Sequence, residues 1–179
     1  MMKIIIYTGV LVLMSIVVFA QGTPRTVDYA SSAVAFKIKN AGIGVDGSFK
    51  EYTATIQLDP KNLGASYIEG KIKTKSISTG ISGRDNHLRK EEFLYVDKYP
   101  EIHFKSIAIK QQGNAYLVTG KLTIKDVTKD VSLTLSPSKN GALDVYQTSL
   151  AINRLDYHVG EDSWTMSDDV LITIKIATK

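Results

Sequence analysis

Cysteine is absent from the 179-residue chain. That excludes a disulfide framework, a thiolate zinc site, a thiol nucleophile and a lipidated cysteine at a cleavage site. Histidine is scarce. His87, His103 and His158 are the only three, and no pair has the H-x-x-x-H or H-E-x-x-H spacing that sets two imidazoles on one helix face. There is no G-x-S-x-G elbow to raise a serine on a strand-to-helix turn. No phosphate-cradling glycine loop opens a helix; Gly42-Ile43-Gly44 runs on into Val45-Asp46-Gly47 in a strand context. The adjacent carboxylates Asp168-Asp169 and Glu161-Asp162 would point to opposite faces of a strand, a poor geometry for general acid and base. Trp164, the one tryptophan, reads as a packing or rim aromatic. These absences predict no catalytic residue, no metal and no cofactor.

An excess of one charge is lacking too. Lys and Arg number 22 against 18 Asp and Glu, for a formal +4 and a pI near 9.1. Such a balance assists contact with anionic ligands or a membrane surface without requiring either. The lysines are scattered through alternating segments rather than gathered on one basic helix, so no nucleic-acid partner is expected.

Only one long apolar run occurs, from Ile4 to Phe19, behind Lys3 and ahead of Gln21. A positive start, an apolar stretch, and Val18 and Ala20 at −3 and −1 predict a secretory signal peptide over 1–20. An uncleaved anchor helix is the competing reading, at the short end of the spanning range. The expected mature protein, 21–179, is one domain acting outside the cytoplasm: periplasmic where the source has an outer membrane, secreted otherwise. Without cysteine it must rely on its core.

The rest alternates. Val34–Lys39, Tyr52–Leu58, Tyr67–Lys75, Glu101–Ser106, Val118–Ile124, Val131–Leu135 and Val170–Ile176 place apolar and polar residues with period two. Each therefore reads as a strand with one buried and one wet face. Turn signals separate them at Asp59-Pro60-Lys61-Asn62, Gln112-Gly113-Asn114 and Lys139-Asn140-Gly141. Only Asn86–Val96 breaks the period: Leu88, Phe93 and Val96 fall near helical spacing, predicting a short helix that ends before Tyr99-Pro100. Short amphipathic strands with frequent turns predict an all-β antiparallel sheet, closed as a barrel or folded as a sandwich. A barrel of about eight strands holds either its own side chains or one small ligand.

Four blocks carry a family resemblance. They are Asp28–Phe49, with Val45-Asp46-Gly47-Ser48-Phe49; Ser78–Ser106, with Arg84-Asp85-Asn86-His87-Leu88 and Tyr99-Pro100; Gly120–Lys129, GKLTIKDVTK; and Asn153–Tyr157, followed by Ser167-Asp168-Asp169-Val170. Together, in this order, they resemble the YceI-like family of exported, lipocalin-like, polyisoprenoid-binding proteins. Val27 stands where the family often has an aromatic, and Tyr157-His158 where Phe-Gly is more usual. The resemblance implies an extended antiparallel lipocalin-like β-barrel with one short helix by its mouth, and a lumen for an isoprenoid or other long lipid.

On that reading the inward faces are Val34, Phe36, Ile38 and Phe49; Ile56, Leu58, Ile68 and Ile72; Ile102, Phe104, Leu122 and Ile124; Val131, Leu133 and Leu135; and Leu150, Ile152, Ile172 and Ile174. Without the resemblance, such stripes read as a dry core. Gly47, Gly70 and Gly120 within strands leave room inside or mark bulges. The polar end is sought at Arg84, Asp85 and His87, and at Arg154, which is in phase with Leu150 and Ile152. Arg84, helped by His87, is suited to an anionic or amide head group. Alternatively Asp85 or Asn86 caps the helix and Arg84 pairs with Asp85 or Asp156. A buried Arg154 needs an anionic ligand or a carboxylate, with Asp85, Asp156 and Asp169 in reach. The favoured function is an exported lipid-binding protein acting in carriage, storage or scavenging. The alternatives are a small hydrolase or isomerase built on Arg84, Asp85 and His87, or a filled barrel serving as an interaction module. A transient membrane contact and a homodimer through an exposed edge strand complete the expected partners.

Overall fold

A computed structural model describes residues 25–179. The expected signal peptide and its cleavage point lie outside the described residues. Ten strands run in chain order: β1 Val27–Asn40, β2 Ile43–Phe49, β3 Tyr52–Gln57, β4 Tyr67–Lys73, β5 Ile77–Ser78, β6 Glu101–Gln112, β7 Ala115–Ile124, β8 Val127–Asn140, β9 Leu143–Asn153 and β10 Asp169–Thr178. One α-helix, α1, spans Ser82–Leu88. All pairings are antiparallel, and the sheet order is β3-β4-β6-β7-β8-β9-β10-β1-β2-β5.

The sheet curls into a half-barrel, and the chain itself joins its two edges. β2 ends at Phe49 and β3 begins at Tyr52, so Lys50-Glu51 join the edge strand β3 to β2, the neighbour of the short edge strand β5. Along that joint Lys50 N–H donates to Ser76 O (3.1 Å) and Lys73 N–H to Glu51 O (2.9 Å). The β2–β3 course is thus one bent strand, and β4 with β5 is its bent partner. Counted as bent pairs, the ten strands become eight, in line with the barrel of about eight strands expected from the sequence.

Alternation is what makes these segments strands. In β10 Val170, Ile172 and Ile174 turn inward while Leu171 and Thr173 are exposed. A strand slipped by one residue would turn that apolar set to water. β6 slips deliberately. Its register shifts between Ser106 and Ala108, which expels Ile107 to solvent and buries Ile109. The bulge converts the even-numbered inward phase of Ile102 and Phe104 into an odd-numbered one and sharpens the curl.

The helix is displaced from its expected place. It covers Ser82–Leu88, not Asn86–Val96, and the chain then turns through Lys90–Lys98. Tyr95 at φ 46° is incompatible with a continuing helix. The apolar spacing of Leu88, Phe93 and Val96 serves packing of these turns instead: Leu94 and Val96 are buried against Ile77, with Leu88 beside them. Neither Asp85 nor Asn86 caps α1; Ile81 holds the N-cap position without a side-chain bond.

Candidate functional site

The curl encloses two apolar cavities. The upper, of about 160 Å³, lies under α1 and is walled by Phe36, Ile38, Val45, Phe49, Leu88, Phe93, Ile102, Ile124, Ile152, Val159 and Ile172. The lower, of about 120 Å³, is walled by Val34, Ile72, Phe104, Leu122, Leu133, Leu150, Ile174 and Ile176. Each is about ten times the space one water needs. Phe36, Phe49, Ile102, Ile124 and Ile172 border both, so the two cavities adjoin at a waist and together make up the lumen. From Val170 to Ile176 it follows β10 for about 20 Å at ~3.3 Å per residue. Its surface is almost wholly carbon.

Two glycines keep it open. A Cβ on Gly47 would sit 2.2 Å from Phe36 Cζ, and one on Gly120 would sit 2.6 Å from Phe104 Cζ. The far edges of the rings lie over these glycines, and at Gly120 the Lys105 carbonyl oxygen would be as close, at 2.5 Å. Gly70 makes no such close approach: its added Cβ would meet only Thr53 O, at 4.0 Å.

Five expected lumen residues do not border either cavity. Ile56 and Leu135 are buried, and Leu58 and Ile68 pack beside them, in a cluster with Ile109, Tyr116, Val118 and Tyr146. Tyr116 and Tyr146 are long enough to fill the axis there, so that end of the barrel is a packed core. Val131 likewise packs against the cluster of Ile102, Leu122, Ile124 and Tyr157. Thr148, two residues before Leu150 and in its phase, lines the lower cavity. Period-two reading reaches it directly, but a search for apolar stripes passes over a threonine.

The polar candidates divide. Arg154 is 3% exposed. Its Nε donates to Ser167 O (3.0 Å), Nη1 to Val159 O (3.0 Å) and Nη2 to Asp168 Oδ1 (3.1 Å). Its carboxylate partner is therefore Asp168, not Asp85, Asp156 or Asp169, and the guanidinium pins both ends of the 154–168 loop. Arg84 lines the upper cavity. It pairs with neither Asp85 nor Asp156: its Nε donates to Thr79 Oγ1 (2.7 Å) and its Nη2 to Thr79 O (2.9 Å). Asp156 instead meets Lys129 at 2.8 Å.

Asp85 is buried and accepts from Thr79 N–H (2.8 Å) and Thr79 Oγ1–H (2.5 Å). These Thr79 donors hold its carboxyl below the usual carboxylate range, outweighing desolvation. Thr79 thus links Arg84 to Asp85, and the arrangement locks the start of α1 beside the lumen. His87 points elsewhere. Its Nε2 lies 3.1 Å from Glu92 Oε1 and its ring stacks edge-on against Phe93. His103 meets Glu69 (2.7 Å) and His158 meets Asp126 (3.3 Å). Among the described residues no three His, Asp or Glu side chains converge in a geometry that would hold a metal.

The mouth carries exposed apolar side chains. Ala41 N–H donates to Thr165 O (2.7 Å) and Asn40 pairs with Met166, placing the β1–β2 turn beside the 163–166 segment. Asn40, Met166 and Thr79 border the upper cavity. Next to them Ile43 is 70% exposed, Trp164 99% and Ile81 55%.

A curled antiparallel sheet around a carbon-walled lumen, plugged at one end by a core and roofed at the other by a short helix, defines a lipocalin-like barrel. The YceI-like domain model matches residues 26–178. The chain belongs to the YceI-like family. It is 33% identical to a UPF0312 protein of Pectobacterium atrosepticum over 80% of this chain and 78% of that one. It is 40% identical to Protein YceI of Salmonella arizonae, over about half of each chain: 56% and 53%. Among solved structures, Burkholderia cenocepacia BcnA superposes with a TM-score of 0.81 at 28% identity, over 86% of this chain and 99% of BcnA. A polyisoprenoid binding domain from Saccharophagus degradans, implicated in plant cell wall breakdown, shares the fold with a TM-score of 0.66 at 16% identity, over 86% and 97% of the two chains.

Proposed function

We propose that this protein is an exported lipid-binding protein that holds one isoprenoid-like or other long apolar chain in its lumen, in carriage, storage or scavenging. The observation that carries the reading is the pair of adjoining carbon-walled cavities that share Phe36, Phe49, Ile102, Ile124 and Ile172 as walls. The neighbour in Saccharophagus degradans, a polyisoprenoid binding domain by its description, supports the ligand class. Burial alone suffices energetically. At about 0.8 kcal/mol per CH₂, ten buried groups contribute about 8 kcal/mol, near micromolar before association entropy. The same logic argues for binding rather than turnover: a wall of carbon aligns nothing that could move a proton.

Arg84 is the residue best placed for a head group. It stands at the upper cavity and forms no ion pair among the described residues. Asp85 and Thr79 position it, and Arg154 acts in holding the loop. His87, turned to Glu92, takes no part. Export rests on the amino-terminal pattern, and the compartment follows as periplasm or medium. The apolar rim of Ile43, Ile81 and Trp164 suits brief contact with a membrane surface for loading, tryptophan being at home at such interfaces. A second copy is not required, since one chain completes the lumen.

Native mass spectrometry of the mature protein, followed by organic extraction, tests the reading. A co-purified long-chain lipid is expected, and stripped protein should take up a polyprenol. An Ile172→Trp variant, filling the waist while leaving the far-ultraviolet circular dichroism unchanged, should lose that uptake. A wild type that purifies empty and takes up no polyprenol overturns it.

A further inference from the structure

The barrel wall is unstitched between β1 and β3. Above, β1 pairs with β2 as far as Val34 opposite Phe49. Below, Arg25 N–H donates to Ile56 O (3.3 Å). Between these ties, among the described residues, neither a strand pairing nor a hydrogen bond joins Asp28–Ala33 to Lys50–Thr55. Glu51 O accepts from Lys73 N–H beside β4, while Ile56 O faces Arg25. Backbone groups alternate in direction along a strand, so those of Tyr52 and Ala54 face β1 with Ile56 and find no partner there. Unpaired backbone groups persist where water reaches them. The opposite lip is irregular, since β1 fits Tyr29–Ser32 against Ile176 alone of β10. Tyr29, half exposed, leans across on Tyr52 with ring centroids 5.7 Å apart. The lower cavity reaches this seam: Val34, Tyr52, Thr53 and Ala54 border it, and Thr53 is exposed to solvent. Beneath the cavity, Tyr116 and Tyr146 lie in the packed core, so a chain that enters at the mouth has no way onward along the axis.

We infer that the seam between β1 and β3 is a second opening of the lumen, a subsite where the distal part of an apolar chain longer than the lumen leaves sideways past Tyr29, Tyr52 and Thr53. A lumen of about 20 Å closed at its lower end would cap the length of its ligand, and a side opening removes the cap. The inference deepens the lipid-lumen reading and rests on it. The head of the ligand stays at the mouth near Arg84, and only chain that the lumen has no room for meets the seam.

Because the chain has no cysteine, one introduced thiol reports on one place. The test follows the rate at which a polyethylene-glycol maleimide labels Thr53→Cys in the ligand-free protein, with farnesol bound and with solanesol bound, binding being read by native mass spectrometry. The two prenols share a head group and differ in length, farnesol being short enough to end inside the lumen. Solanesol should slow labelling several-fold and farnesol should leave it unchanged. Ile107→Cys, exposed on the outside of β6, should label at one rate in all three states. Thr53→Cys capped with the maleimide beforehand should keep its affinity for farnesol and lose several-fold for solanesol. Slowing by both prenols, by neither although both are bound, or at Ile107→Cys as well overturns the side opening and leaves the lumen reading standing. A capped protein that takes up solanesol as the uncapped one does overturns it too. If neither prenol binds the uncapped protein, the lumen reading fails and takes this inference with it.

Discussion

Gly47 and Gly120 make room for two phenylalanine rings beside the cavities. Each lies under a phenylalanine ring that would otherwise stand into the lumen. Gly47→Val should force the Phe36 ring off the wall. Overpacking of this kind costs about 1–3 kcal/mol, and chain uptake should fall with it. The double variant Phe36→Leu/Gly47→Ala should recover most of the stability, a non-additivity that urea unfolding measures. Asp85 supports a second expectation at this scale. Asp85→Ala orphans Thr79 N–H and Oγ1, at a cost of about 1–3 kcal/mol; Asp85→Asn keeps an acceptor and costs less. The sign with pH follows from the lowered carboxyl pKa. Where the folded pKa lies below the unfolded one, the stabilisation is present above the ordinary carboxylate pKa and is lost as pH falls through the lowered value. Urea midpoints taken from neutral to acid pH should therefore converge for wild type and Asp85→Asn.

At the scale of elements, the bulge in β6 decides which residues face inward. Deleting Ile107 removes the register shift at Ser106/Ala108 while keeping Ile109 opposite Val118 and inward, so the protein should still fold but lose the sharpened curl, with a lower Tm. Ile107→Thr, at a side chain already 63% exposed, should stay within about 0.5 kcal/mol. The contrast separates the backbone device from the side chain. β8 works similarly by length: its first part pairs with β7 up to Leu135 and its last part with β9 from Ser136. The two strands then splay, and Tyr157 is buried where the turn Leu155–Tyr157 packs.

For the whole molecule, a lumen ligand should act as a stabiliser. A ligand at 100 times its Kd adds about 2.7 kcal/mol, which for a domain of this size raises Tm by roughly 5–10 °C. Differential scanning calorimetry with and without a polyprenol measures it. The rim gives a separate, kinetic expectation. The Ile43→Ser/Trp164→Ser variant should keep its Tm and its equilibrium affinity, because neither side chain borders the lumen. Its rate of chain extraction from vesicles should drop several-fold. Equal rates would deny the rim a role.

Much was legible before any coordinates. Alternation in Val34–Ile38, Ile102–Phe104, Leu122–Ile124 and Ile172–Ile174 determined which faces turn inward, because a strand's side chains alternate whatever its neighbours do. Local turn chemistry at Gly113 and Gly141 marked where strands end, both glycines adopting the left-handed φ that such turns require. Contacts distant in sequence were not legible. Periodicity marks Ile56, Leu135 and Ile174 alike as inward, but only the tertiary structure puts Tyr116 and Tyr146 across the axis beside the first two and empty space beside the third. The partner of Arg154 was decided by a loop returning 14 residues later to bring Asp168 to it. A cavity is a volume left between strands, set by curl, bulge and ring placement together, and no single strand carries that information.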